Sequence, residues 1–231
     1  MKTLGIVGGI GPESTIDYYR FILEECRKQA PDLGAPHIVI DSIDVDVAIA
    51  MLDRDDRAAL AGYVSASVER LARAGAGIAL LAANTPHLVF EQVQRQSRVP
   101  LISIVQAACD EAGRIGLRRL ALLGTGFTMR AGFYPEVFGR AGIDLLTPSD
   151  AEQAWLHDKY IHELLRNRFL PETRAGVLAA IDRMAREEGI EAALLAGTEL
   201  PLLLRGEEPP GLRFLDTTVI HVKRAVAELL A

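Results

Sequence analysis

Short apolar, β-branched runs alternate along the chain with longer stretches in which apolar residues recur every three or four positions. Such short runs, bounded by turn residues, read as buried strands; the wider spacing reads as the apolar face of a helix. On that pattern strands are predicted near 3–8, 37–41, 77–82, 100–104, 119–123, 191–196 and 213–215, with a weaker one near 143–146. Helices are predicted over 14–29, 56–74, 87–95, 105–115, 130–140, 151–168, 171–188 and 217–230. Gly75, Gly116, Gly142 and Gly189 stand where four of these would stop, a position that favours a residue able to turn left-handed. The alternation predicts an α/β fold with mainly parallel sheets flanked by crossover helices.

The pattern also repeats. Leu4-Gly5-Ile6-Val7-Gly8 aligns with Leu120-Ala121-Leu122-Leu123-Gly124, the same offset carries Tyr18 onto Tyr134, and a nearly equal one carries Ala83 onto Gly197. Apolar runs ending in glycine are common in α/β chains, but several agreeing offsets favour a true duplication. Two similar lobes related by a pseudo-two-fold are expected, with an active-site cleft between them at the strand ends, where open parallel sheets bind ligands. Lobe 1 is expected to hold residues 1–100 plus 216–231, and lobe 2 residues 101–215. Gly206-Glu207-Glu208-Pro209-Pro210-Gly211 reads as a loop.

Composition narrows the function. At 231 residues the chain buries a substantial core, so size sets no obstacle to an enzyme. A net charge of −6 and a pI near 5.4 supply no basic face for phosphates, which argues against nucleic acid and for a small-molecule partner. Cys26 and Cys109 are too few for a disulfide framework or a thiolate metal cage, and as reduced thiols they fit the cytoplasm. The apolar start of the chain is cut by Gly8, Gly9, Gly11 and Pro12, too early for a signal segment or a bilayer span, so no membrane association is expected. His37, His87, His157, His162 and His221 show no zinc-binding spacing, so no metal is expected.

Candidate chemistry gathers at predicted strand ends. Gly8-Gly9-Ile10-Gly11-Pro12-Glu13-Ser14-Thr15 follows a strand and opens a helix, so its N–H groups suit an anion, with a structural turn as the plainer reading. Its nearest fit to a dinucleotide fingerprint is Gly9-x-Gly11-x-x-Ser14, and the candidate ribose acid, Asp41, lies beyond the usual ~20 residues, which argues against a nicotinamide cofactor. Asn84-Thr85 and Thr198-Glu199 each follow an apolar run, and their amide, hydroxyl and backbone groups suit a carboxylate. Taken singly, each reads equally as a cap or turn. His87 stands beside the first pair, either near the cleft or packed at a helix start. Asp53-Arg54-Asp55-Asp56-Arg57 reads as a solvated loop and helix start.

Five segments together resemble the aspartate/glutamate racemase family of cofactor-independent amino-acid racemases. They are Gly8 to Thr15 with Tyr18-Tyr19-Arg20, Asn84-Thr85-Pro86-His87, Leu123-Gly124-Thr125-Gly126-Phe127-Thr128-Met129, Gly197-Thr198-Glu199-Leu200-Pro201, and Asp216-Thr217-Thr218-x-x-His221. The resemblance implies a two-lobed α/β fold, a homodimer, a substrate carboxylate held between the lobes, and neither pyridoxal phosphate nor metal. It further implies a substrate pocket drawn from Gly11, Ser14, Asn84, Thr85, Thr125, Thr198 and Glu199. Arg166 would either supply an anion-binding fork near a helix position where relatives can carry lysine or be a surface arginine on a helix.

Members of that family use two cysteines as proton-transfer bases, one preceding the Asn-Thr pair and one preceding Thr-Glu. Here those positions hold Ala83 and Gly197, neither of which takes a proton. General acid–base groups are worth roughly 10²- to 10⁴-fold apiece, so two-thiol racemisation is not expected. Three readings remain: a racemase using substitute groups such as Glu199, His87, Asp44 or Tyr18; a lyase or decarboxylase stabilising a carbanion; or a binding protein for an acidic metabolite.

Overall fold

A computed structural model of the chain describes residues 1–206 and 211–231. These residues divide into two compact units, Met1–Ala107 with Thr218–Ala231, and Ala108–Thr217.

The first unit is built on β1 (Leu4–Gly8), β2 (Ile38–Ser42), β3 (Ile78–Leu81) and β4 (Leu101–Ile102), all parallel, in the order β2-β1-β3-β4. Around them run α1 (Pro12–Gln29), α2 (Val45–Asp53), α3 (Arg57–Arg73), α4 (Phe90–Gln96) and the start of α5 (Ile104–Arg114). The second unit repeats the arrangement with β5 (Arg119–Gly124), β6 (Asp144–Leu146), β7 (Ala192–Ala196) and β8 (Arg213–Asp216) in the order β6-β5-β7-β8, again all parallel. Its helices are α6 (Gly126–Arg130), α7 (Phe133–Arg140), α8 (Asp150–His162), α9 (Pro171–Glu188) and α10 (Leu200–Leu203), and α11 (Thr217–Leu230) carries the chain back to the first unit. The expected duplication is therefore present in the topology: β1 and β5 hold the same place in their sheets, as do β3 and β7.

Parallel strands covered on both faces need uninterrupted apolar sequence, and β1, β3 and β7 are buried along their whole length. The period of two is still visible in β1. Leu4 and Ile6 pack with Tyr18 and Ile22 of α1 and Val222, Val226 and Leu229 of α11, while Val7 packs with Val64, Val68 and Leu71 of α3. In the second unit Ala121, Leu123, Ala193 and Leu195 meet Leu156 and Tyr160 of α8 and Val177, Ile181 and Met184 of α9.

Local chemistry sets the helix starts. Asp56 caps α3 through Ala59 N–H at 3.0 Å, and Ser149 and Glu152 form a reciprocal capping box on α8. The structure departs from the sequence reading in several places, among them α10, which was not predicted. Helix α2 was not predicted; Asp44 caps it through Asp46 N–H at 2.8 Å. The stretch expected as one helix over 130–140 belongs to α6 and α7, parted at Gly132 with φ 79°. The helix expected over 151–168 stops at His162 and gives way to a 3₁₀ turn, Leu164–Arg166, ending on Asn167 at φ 56°. A 3₁₀ turn, Thr85–Val89, replaces the first part of the helix expected at 87–95. The middle of the loop expected at 206–211 lies outside the described residues.

Candidate active site

In the first unit, β1 runs into α1 through Gly9-Ile10-Gly11. Gly9 sits at φ 84°, and a β-carbon there would strike the Ile43 carbonyl of the chain leaving β2, so only glycine suits the turn. Thr15 Oγ1 accepts the Gly9 N–H at 2.9 Å. Ser14 Oγ lies 2.7 Å from the Gly11 carbonyl and 3.1 Å from that of Ala82, tying the loop to the segment that leaves β3. Ser14 and Gly11 are thus beside the end of β3, with the Ser14 hydroxyl engaged by backbone.

Beyond β3, Ala83 and Asn84 are buried, Thr85 is half-buried, and the chain enters its 3₁₀ turn. His87, also buried, faces the Ala83 carbonyl through Nδ1 at 3.0 Å, while Nε2 lies 3.2 Å from Ile104 N. An amide N–H can only donate, so Nε2 is the acceptor and Nδ1–H donates to Ala83. The ring stacks on Phe90 with centroids 5.0 Å apart. Burial, reinforced by the neighbouring His221, pushes its pKa down to about 3, so the imidazole is neutral. His221 follows the same logic: Nε2–H donates to the Ile102 carbonyl at 2.9 Å, which leaves Nδ1 to accept from Tyr18 Oη at 2.8 Å. Burial lowers its pKa to about 4.

These bonds bear on three of the residues considered as substitute bases. His87 has both nitrogens committed to backbone, Tyr18 is fully buried and donates to His221, and Asp44 is an exposed helix cap. In these bonds all three serve the fold.

In the second unit Thr125 follows β5 and caps α6, its Oγ1 accepting Thr128 N–H at 3.2 Å. Gly197, Thr198 and Glu199 follow β7 and are all buried. Tyr160 of α8 lies directly over Gly197. A β-carbon on residue 197 would come within 2.5 Å of Tyr160 Oη, 2.7 Å of Cε2 and 2.9 Å of Cζ. Tyr160 Oη donates to Glu199 Oε2 in a short hydrogen bond and accepts Glu199 N–H at 3.2 Å. Thr198 Oγ1 donates to the same carboxylate oxygen at 2.8 Å. Burial first, then the Glu199 charge, holds the Tyr160 pKa well above its ordinary value, so the phenol keeps its proton. Arg166 is exposed on the turn after α8, outside this cluster.

Tyr160 was missed by sequence reasoning. Its signal was indirect: a glycine closing an otherwise unbroken apolar strand marks a close approach by something bulky. The helix face Gln153, Leu156, Tyr160 was the place to look for it.

Cys26 and Cys109 are buried in helices, and burial pushes both thiols up, away from reactivity. Among the described residues no cluster of three or more His, Cys, Asp or Glu could hold a metal ion, and no helix is long and apolar enough to cross a membrane.

Known proteins resemble this chain in sequence and fold. Over all of its length the chain is 28% identical to a putative Asp/Glu racemase from Yersinia pestis, itself covered in full, with a TM-score of 0.88. An aspartate racemase homologue from Pyrococcus horikoshii is 33% identical over 99% of both chains, with a TM-score of 0.79. A broad specificity amino-acid racemase from Bacillus subtilis is 27% identical over 157 residues, which are 65% of this chain and just under two thirds, 66%, of that protein. The Asp/Glu/Hydantoin racemase family model matches residues 7–225, from the end of β1 into α11, and takes in every strand-end segment described above. Topology, strand-end sequence and family model agree, and the chain belongs to the Asp/Glu/Hydantoin racemase family.

Proposed function

We propose that this protein binds a small amino acid or dicarboxylic acid at the strand ends and moves a proton at its α-carbon, as a cytoplasmic homodimer without pyridoxal phosphate or metal. One observation carries the reading: in a chain of this family, a polar pair follows the third strand of each sheet, Asn84-Thr85 after β3 and Thr198-Glu199 after β7. With Gly11, Ser14, Thr125 and Arg166 they form the proposed substrate-binding set. Ala83 and Gly197 remove the two-thiol route, so the racemase chemistry of the family would have to run through other groups.

A second reading is favoured by the first unit. Ala83 carries no acid–base group, and the side chains of His87 and Tyr18 are committed to the fold. A site with a proton-transfer group on one side only suits a lyase, in which a carbanion formed by loss of CO₂ is protonated from a single face.

The two readings separate in D₂O. NMR on L- and D-aspartate, L- and D-glutamate, alanine, malonate and succinate should show α-hydrogen exchange if the enzyme moves that proton. Loss of CO₂ from malonate would identify the lyase, and binding by calorimetry without turnover would identify a metabolite-binding protein. Failure of every one of these acids to bind would sink the proposed pocket.

A further inference from the structure

We propose that the phenol of Tyr160, backed by Glu199, is the proton-transfer group of this chain, standing in the space that a side chain on residue 197 would fill. The inference rests on the proposed carboxylic-acid function and names the group that performs it.

Three observations converge. The first is volume: Oη lies 2.5 Å from where a residue 197 β-carbon would be, so the hydroxyl and a side chain at 197 compete for the same space. The second is connection. Oη donates to Glu199 Oε2 and accepts the Glu199 N–H at 3.2 Å, while Thr198 Oγ1 fixes the same carboxylate oxygen at 2.8 Å. A hydroxyl bonded to a carboxylate is a proton relay as well as a brace. The third is anchoring: Tyr160 belongs to α8 and packs into the core with Leu156, Leu164 and Val177, which holds the ring on a rigid element.

The proton balance is direct. As the α-carbon–hydrogen bond breaks, its electron pair stays on the substrate, delocalised into the carboxylate. The proton passes to Tyr160 Oη while the Oη proton moves to Glu199 Oε2. Reversal returns the proton to carbon and restores the Glu199 carboxylate. Glu199 acts through the phenol and is the positioning and proton-holding partner. A single relay serves one face of the α-carbon, so exchange with solvent hydrogen would proceed with retention of configuration.

The test uses the full-length protein with the same amino and dicarboxylic acids in D₂O. Wild type is expected to exchange the α-hydrogen of at least one of them without inversion, the enantiomer being checked by chiral chromatography. Tyr160→Phe removes Oη alone, and Glu199→Gln keeps a hydrogen-bond acceptor while removing the proton sink. Each should lower the exchange rate by about 10²-fold or more with the far-ultraviolet circular dichroism unchanged, and in Tyr160→Phe, which leaves the proposed substrate-binding residues intact, the Kd for the same acid should change less than about threefold. A brace without chemistry would shift Kd or folding and leave the exchange rate of bound substrate alone. Exchange at the wild-type rate in folded Tyr160→Phe overturns this inference and leaves the carboxylic-acid function standing; a wild type that binds an acid but never exchanges it overturns the relay and the proton-transfer reading together.

Discussion

A β-carbon on residue 197 would meet Tyr160 Oη at 2.5 Å and ring carbons at 2.7 and 2.9 Å, so a side chain there would have to displace a ring that belongs to the same core cluster as Leu156 and Val177. Glycine and tyrosine are therefore a matched pair, and a thiol cannot simply be put back at this position. Gly197→Cys is expected to destabilise the protein by about 1–3 kcal/mol, the usual cost of overfilling a packed site. Urea denaturation measures it. In Gly197→Cys combined with Tyr160→Ala, the second change opens the space the first one needs, so the two losses should fall short of their sum. Strict additivity would mean that the phenol does not set the identity of residue 197. Ala83 differs in kind: it already carries a β-carbon, and its carbonyl accepts from His87 Nδ1–H.

Helix α8 connects this residue pair to the rest of the second unit. Glu152 closes the capping box with Ser149 and also pairs with Arg183 of α9 at 2.7 Å, so one side chain both starts α8 and joins it to α9. Arg183 draws its carboxyl down to about 2, keeping it charged at ordinary pH. Ser149→Ala, which removes the cap and spares the ion pair, is expected to cost about 1 kcal/mol, read as a lower thermal midpoint with weaker hydrogen-exchange protection at the start of α8. An unchanged midpoint would show the cap to be redundant with the Glu152–Arg183 bridge. The strands of both sheets were legible because a strand buried on both faces needs an unbroken apolar run, and Leu120 to Gly124 and Ala192 to Ala196 are short runs of that kind bounded by glycine or polar residues. Helix α2 escaped because it is only nine residues long and apolar nearly all round, Val45-Asp46-Val47-Ala48-Ile49-Ala50-Met51-Leu52-Asp53, which leaves no alternation of apolar and polar positions to detect. Its one clear signal was Asp44 at the cap. The strand-end polar pairs were legible for a similar reason, since polar residues stand out after an apolar strand. Tyr160 was not, because its partner Glu199 is 39 positions away and only the folded chain brings the two together.

At the scale of the molecule, the most exposed consequence is acid sensitivity centred on two buried imidazoles. His87 latches the turn after β3 to the start of α5, and His221 of α11 bonds the Ile102 carbonyl of β4 and accepts from Tyr18 of α1, so the pair fastens elements far apart in sequence. Both are held neutral, with pKa values lowered to about 3 and about 4. In the unfolded chain a histidine takes up its proton near pH 6.5. Between that value and the folded pKa the unfolded state binds more protons than the folded one, so stability is full above about pH 6.5 and declines as pH falls. Two such groups give a slope of roughly 2–3 kcal/mol per pH unit near pH 5. The Glu152 carboxyl, whose pKa is lowered to about 2, adds its own loss only below its ordinary value of 4.5, so it leaves the window between pH 6.5 and 5 to the histidines. Urea denaturation followed by circular dichroism at pH 7.5, 6.5, 5.5 and 5.0 should show a flat upper limb and a steep lower one. His221→Gln, which keeps a donor for Ile102, should start from lower stability and lose about half of that slope. Equal stability at pH 7.5 and 5.0 would mean that the imidazoles are not held neutral in the folded protein, and with that the argument against His87 as a proton carrier would fall.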